Sequence, residues 1–184
     1  LQLIMRKLRR PGHQGLMAGR AGVVVPNGIL SADGVAARIK EELLENFNLH
    51  TLVRLPNGVF APYTPIPTNV LFFDRSGPTR EIWYYEHPLP TGRKNYTKTG
   101  PLQFDEFGPM LDWWDHRKDS DRAWMVPVEL VRSNGYNLDL RNPNGPRDLE
   151  HLPPEELLQE VRGHEQRVME LIGEVGALLE RRLR

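Results

Sequence analysis

An α/β fold with a separate C-terminal heptad helix is predicted by three features of this 184-residue chain. Short apolar runs recur at Ala21–Val25, Leu49–Leu55 and Val70–Phe73, each bounded by Pro, Gly or Asp. An amphipathic stretch over residues 35–46 separates the first two, so strand, crossover helix and strand read as a βαβ unit. Past Pro153-Pro154 the pattern changes to a seven-residue repeat, with Val161, Val168 and Val175 in one row and Leu157, His164, Leu171 and Leu178 in the other.

Taken in order, Leu1, Ile4, Met5 and Leu8 already repeat at helical spacing, so the chain reads as entering in mid-helix. A fragment of a longer protein is therefore expected. Arg9-Arg10-Pro11-Gly12 closes this helix, since Pro cannot continue the ladder and Gly accepts the left-handed cap. Residues 12–19 are Gly-rich loop. Val23-Val24-Val25 suits a strand covered on both faces, and Pro26-Asn27-Gly28 breaks it. Val35, Ile39, Leu43, Leu44 and Phe47 line one helical face, with Asp33 as its N-cap. Prolines 56, 62, 65 and 67 keep the next segment in a loop. Val70–Asp74 and Glu81–Tyr85 flank Ser76-Gly77-Pro78, which predicts a hairpin. A short helix over 105–116 carries Trp113 and Trp114, Trp124–Val128 is extended, and Asn142-Pro-Asn-Gly-Pro146 is a linker. In the terminal helix, Gly163, Gly173 and Gly176 each cost about 1 kcal/mol relative to Ala, so a packing partner is required. That partner is either another part of the chain or another subunit.

Composition narrows the function classes. Twenty-four Lys and Arg balance 24 Asp and Glu, so no overall basic excess points to nucleic acid, although a local basic face remains open. With no Cys, disulfide scaffolds, thiolate metal sites and cysteine nucleophiles are excluded. No apolar run approaches the ~20 residues of a membrane span, and the first residues carry no signal-peptide pattern. A cytoplasmic protein is expected.

No catalytic constellation stands out. The chain holds neither a phosphate-binding P-loop nor Gly-x-Gly-x-x-Gly between strand and helix, and no His pair has metal-ligand spacing. Glu106, Asp112 and Asp115 read as a solvated face, and a hydrolase fails for want of a nucleophile with its base. Asn142-Pro143-Asn144 lacks the Pro and aromatic residue that an amino-methylating turn uses, and reads as a plain turn. The informative positions are Pro26-Asn27-Gly28 and Pro56-Asn57-Gly58, one at each strand end, because ligands of open α/β sheets sit beyond the carboxyl ends of the strands. Both can be turn chemistry, or Asn27 can contact a ligand or nucleotide at that rim. Arg54, Arg93, Lys94 and Lys98 are the cations placed to meet phosphates there.

The order of these segments carries a resemblance. Gly19–Leu30 with its Val-Pro-Asn-Gly, Arg38–Leu44, Leu52–Phe60 with its Leu-Pro-Asn-Gly-Val-Phe, and Ile66–Phe73 follow one another as in the C-terminal portion of the modification (M) subunit of type I restriction enzymes. That subunit belongs to the adenine-N6 DNA methyltransferases. Asn95-Tyr96-Thr97-Lys98, Trp113-Trp114 and Gly135–Leu140 are similar to the downstream region of the same family, so the resemblance spans nearly the whole chain.

The resemblance implies the C-terminal half of a Rossmann-like methyltransferase sheet over residues 1–86. A small α+β extension over 87–146 and a coiled-coil-like helix over 147–184 follow it. Residues 21–26 and 49–55 become the fifth and sixth strands, with 69–74 inserted between them as an antiparallel seventh. The implied chemistry is methyl transfer from S-adenosylmethionine to adenine N6 on a flipped base. The family's Gly-rich cofactor loop and its Asn-Pro-Pro-aromatic motif are not among these residues, so no cofactor is expected on this chain alone and it is expected to be inert by itself. Implied partners are the specificity and restriction subunits and double-stranded DNA. The heptad residues Leu157, Val161, His164, Val168, Leu171, Val175 and Leu178 would form the subunit contact, and an exposed strand edge would favour self-association. A non-enzymatic assembly module that keeps only the subunit-interaction role is the alternative function.

Overall fold

In a computed structural model, residues 1–10, 12 and 17–145 are described, with 162, 165, 166, 168, 169 and 171–173 in the C-terminal region. Residues 1–145 form one compact unit and 146–184 another. In chain order the first unit contains α1 (Gln2–Lys7), β1 (Arg20–Pro26), α2 (Asn27–Ser31), α3 (Val35–Asn46), β2 (Asn48–Arg54), β3 (Thr68–Asp74) and β4 (Glu81–Glu86). A 3-10 turn (Phe104–Phe107), α4 (Gly108–Asp115), β5 (Ala123–Pro127) and α5 (Val128–Ser133) complete it.

The five strands lie in the order β1-β3-β2-β4-β5. β3 is antiparallel to both neighbours, pairing Val24 with Val70 on one side and Leu52 with Leu71 on the other. β1 and β2 therefore run the same way but never touch as adjacent strands. The βαβ reading is right in direction, and the seventh-strand insertion that the resemblance implied is what separates its strands.

The predicted hairpin of Val70–Asp74 with Glu81–Tyr85 does not form. β4 instead pairs parallel with β2, Thr51 opposite Trp83, and antiparallel with β5, Tyr84 opposite Trp124. Thr79 explains the detour. Its backbone N–H donates to the Leu44 carbonyl, its hydroxyl to the Phe47 carbonyl at 2.8 Å, and its Oγ1 accepts from the Leu49 N–H at 2.8 Å. These bonds drag the chain across the start of β2, so it re-enters the sheet on the far side.

Other local expectations are corrected too. Helix α1 stops at Lys7, two residues before Arg9, because Leu8 is already extended. The loop expected over 12–19 falls largely outside the described residues. Asp33 makes no capping bond; α3 starts from Gly34 at φ 64°. β1 is not covered on both faces: only Val25 is buried, and Val24 is 51% exposed. Pro26-Asn27-Gly28 does end β1, but by opening the short helix α2. The Trp113-Trp114 helix is α4, preceded by the 3-10 turn.

One face of the sheet packs Leu30, Leu43, Leu44, Phe47, Leu71, Ile82 and Val131 into the main core, and Met5 anchors α1 there. Each fully buried large aliphatic or aromatic side chain contributes roughly 1.5–3 kcal/mol. The other face holds Val53, Tyr85 and Ala123, covered by Met110 of α4. In the C-terminal unit Val168 and Leu171 are helical and exposed. The heptad positions Leu157, Val161, His164, Val175 and Leu178 lie outside the described residues.

Candidate functional site

The carboxyl ends of β1, β2 and β4 and the amino end of β3 meet along one rim of the sheet. Two positions expected at such a rim, Asn27 and Arg54, are brought together, through a residue the sequence reading did not single out. Asp139 accepts from Arg54 Nη2 at 2.8 Å and from Asn27 Nδ2 at 3.0 Å. Asn27 Oδ1 in turn accepts from Asn69 Nδ2 at 3.0 Å. Arg54 also donates to the Leu140 carbonyl at 2.7 Å and lies 3.9 Å from Glu86, whose second oxygen accepts from Asn142 at 2.9 Å. Tyr84 and Trp124 stack, with the Arg54 guanidinium 5.9 and 6.0 Å from their ring centres. The Nε of Arg54 and the hydroxyl of Thr68 are buried with no protein partner.

Backbone features hold this chain of side chains in register. The Leu138 N–H and the buried Lys40 ammonium both donate to the Leu30 carbonyl, at 3.0 and 2.6 Å, and Lys40 also reaches the Ala32 carbonyl at 2.9 Å. Carbonyls at a short helix's end lack intrahelical partners, and Lys40 supplies them. Burial pushes the Lys40 pKa down, while Asp33 acts the other way. Tyr84 donates its hydroxyl to the Leu138 carbonyl at 3.0 Å, and burial raises its pKa well above the ordinary phenol value. Asp139 is thus fixed from three sides. The Asn142 linker is also pinned, to Glu86 and to the Asp121 carbonyl.

The remaining candidates separate. Pro26 and Gly28 are exposed beside Asn27. Asn57 is exposed, and its carbonyl accepts from the Tyr96 N–H at 3.0 Å. Gly58 is the position where glycine is required: φ is 80°, and a Cβ would collide with the Tyr96 carbonyl. Tyr96 is buried and donates to Glu106 at 2.6 Å, which lowers the Glu106 pKa and, after burial, raises that of Tyr96. Arg93, Lys94 and Lys98 are exposed on the loop around Tyr96, Arg93 lying 5.8 Å from its ring. His87 closes β4, buried against Phe107 with neither ring nitrogen bonded; desolvation lowers its pKa.

The N-6 DNA methylase family matches residues 13–151. The chain belongs to that family. It is 44% identical over 168 residues to the type I restriction enzyme EcoEI methylase subunit of Escherichia coli, covering 88% of this chain and 34% of that protein. Among solved structures, a modification subunit assigned to a type I restriction enzyme of Vibrio vulnificus is 57% identical at a TM-score of 0.75, covering 82% of this chain and 32% of that one. A chain from a structure of type I restriction-modification complex assembly is 42% identical at a TM-score of 0.72, covering 97% of this chain and 38% of that one. This N-6 DNA methylase chain therefore spans about a third of the length of the relatives it matches.

Both carboxylates of the rim, Asp139 and Glu86, are held by donors of this chain. The rim is a buttress: it locks α2, β2, β3, β4 and the 137–142 segment into one frame.

Proposed function

We propose that this chain is the carboxyl-terminal part of a type I restriction-modification methylase subunit, and that the complete subunit transfers methyl from S-adenosylmethionine to adenine N6 in DNA. The 44% identity to the EcoEI methylase subunit carries this reading, and the antiparallel β3 between co-directional β1 and β2 supports it. By itself the chain binds no cofactor and transfers no methyl group. Its part is to complete the sheet and brace its rim through Asp139. Pro26, Gly28, Asn57, Arg93, Lys94 and Lys98, exposed at or near that rim, contact DNA in the assembled enzyme.

The C-terminal heptad segment (147–184), with Val168 and Leu171 exposed, meets the specificity subunit, and the restriction subunit joins the same assembly. Among the described residues β1 pairs only with β3, so its other edge accepts a strand from the rest of the subunit or from a second copy. The assembly works in the cytoplasm; no helix among the described residues is long and apolar enough to cross a membrane.

Calorimetric titration of S-adenosylmethionine into the chain, after its intact mass is checked, tests the reading together with co-purification on a tagged specificity subunit. No heat with specific co-purification is expected. Saturable binding by a chain of 21.2 kDa would overturn the inert-alone reading, and failure to co-purify would overturn the assembly role.

A further inference from the structure

A second polar concavity lies at the opposite end of the strands. It is a cleft of about 730 Å³ lined by Asn48, His50, Arg80, Glu81, Trp83 and Arg117, among others. Asn48 and Arg54 stand at opposite ends of the seven-residue β2, roughly 20 Å of extended chain apart. An adjoining cleft of about 490 Å³ shares Asn48, His50 and Arg117 and adds Arg20 and Asp74.

Arg117 is the centre of the cleft. Its guanidinium lies 4.9 Å from the Trp114 ring centre and 5.7 Å from that of Trp113, and it donates to the His50 carbonyl at 3.2 Å. Nη2 also lies 3.4 Å from His50 Nδ1. The same Nδ1 lies 2.8 Å from the Thr51 hydroxyl. Burial, then the charge of Arg117, lowers the His50 pKa. Neither Arg80 nor Arg117 has a carboxylate within ion-pair distance among the described residues. Glu81 is the one carboxylate lining the larger cleft.

We propose that this cleft binds a phosphate group, carried either by a free nucleotide or by a nucleic-acid backbone. Arg117, Arg80 and the β2 pair Asn48 and His50 reach the cleft from three segments of the chain, which suits a tetrahedral anion with several acceptor oxygens. A planar carboxylate needs only one guanidinium fork. The volume leaves space beside the anion for a sugar or base along Trp83. The site goes beyond methyl transfer, since it sits away from the carboxyl rim of the sheet.

Calorimetry on the full chain tests this, with inorganic pyrophosphate, adenosine diphosphate and a short DNA duplex as separate titrants. Saturable pyrophosphate binding is expected. Arg80→Gln weakens it at least about fivefold, and Glu81→Gln tightens it by about twofold or more, both at exposed positions that leave thermal unfolding unchanged. Stronger binding of adenosine diphosphate than of duplex assigns the free nucleotide as the source. Duplex binding that pyrophosphate displaces, with the same response to both variants, assigns the backbone. No saturable heat from any of the three, or affinities indifferent to both substitutions, overturns the proposal.

Discussion

Asp139 joins Arg54 to Asn27: one carboxylate oxygen accepts from the guanidinium at 2.8 Å and the other from the amide at 3.0 Å, across more than 80 residues of sequence in each case. An amide cannot serve both partners. In Asp139→Asn, whichever way the new side chain turns, one of its neighbours faces a donor with a donor. Rotating Asn27 merely passes the mismatch on to Asn69. We expect Asp139→Asn to destabilise the chain by about 1–3 kcal/mol. Asp139→Ala should cost more, because Arg54 then keeps only Glu86 at 3.9 Å among its carboxylates. Urea unfolding of the two variants beside the parent decides this; equal midpoints would show the pair to be dispensable.

Gly58→Ala should be damaging despite its small size. The position has φ 80°, and the added methyl meets the Tyr96 carbonyl. A loss of about 1–3 kcal/mol is expected. Because Tyr96 anchors the loop that carries Arg93, Lys94 and Lys98, trypsin should also cut there faster in the variant. Parent-like digestion would separate the turn from the loop.

Lys40→Met keeps much of the side-chain volume but leaves the Ala32 carbonyl without its donor and the Leu30 carbonyl with only the Leu138 N–H. Bonds from a charged donor are worth about 1.5–3 kcal/mol each, against which stands the relief from burying a charged lysine that is only 2% exposed. The net expectation is a loss of about 1–3 kcal/mol, with faster amide exchange at Leu138. A gain in stability would show that desolvation outweighs the two bonds.

His87 predicts a pH dependence. Its folded pKa lies below the ordinary value of 6.5 because burial disfavours the cation. Unfolding therefore takes up a proton whenever the pH lies between the folded value and 6.5. Stability should be undiminished above that range and should fall on acidification through it, by at most about 1.4 kcal/mol per pH unit. His50 acts in the same direction from the far end of the sheet. His87→Phe, which keeps an aromatic ring against Phe107, should flatten but not abolish the acid limb in thermal melts between pH 5 and 7. An unchanged limb would assign the whole effect to His50 and the carboxylates.

Periodicity and turn chemistry located the strands and α3, since Val23–Val25 and Val70–Phe73 are β-branched and aromatic runs with breakers on either side. They could not order the sheet. Whether Glu81–Tyr85 returns beside Val70–Asp74 or crosses over β2 depends on where Thr79 finds its partners, Leu44, Phe47 and Leu49, 30 or more residues earlier. The rim was legible by half. Asn27 and Arg54 stand at strand ends, where sheet logic looks first. Asp139 lies in an irregular segment, and its pairing is visible only in three dimensions. Lys40 was hidden for a related reason: on a helix pattern a lysine reads as solvent-facing, and only the carbonyl ends of α2 give it a reason to be buried.

The place of β3 between β1 and β2 has a consequence in time. About 40 residues separate the end of β1 from the start of the strand that pairs with it. At roughly 5–20 residues per second of synthesis, β1 waits on the order of 2–8 s after emerging before β3 exists to meet it. Until then Val23 and Val24 lack their partners in β3, Asn27 has no Asn69, and the rim cannot close. The steps leading to the native sheet must therefore tolerate a valine-rich strand with its β3 edge open, and any factor that shields that edge during those seconds would raise the yield of folded protein more than it would alter final stability.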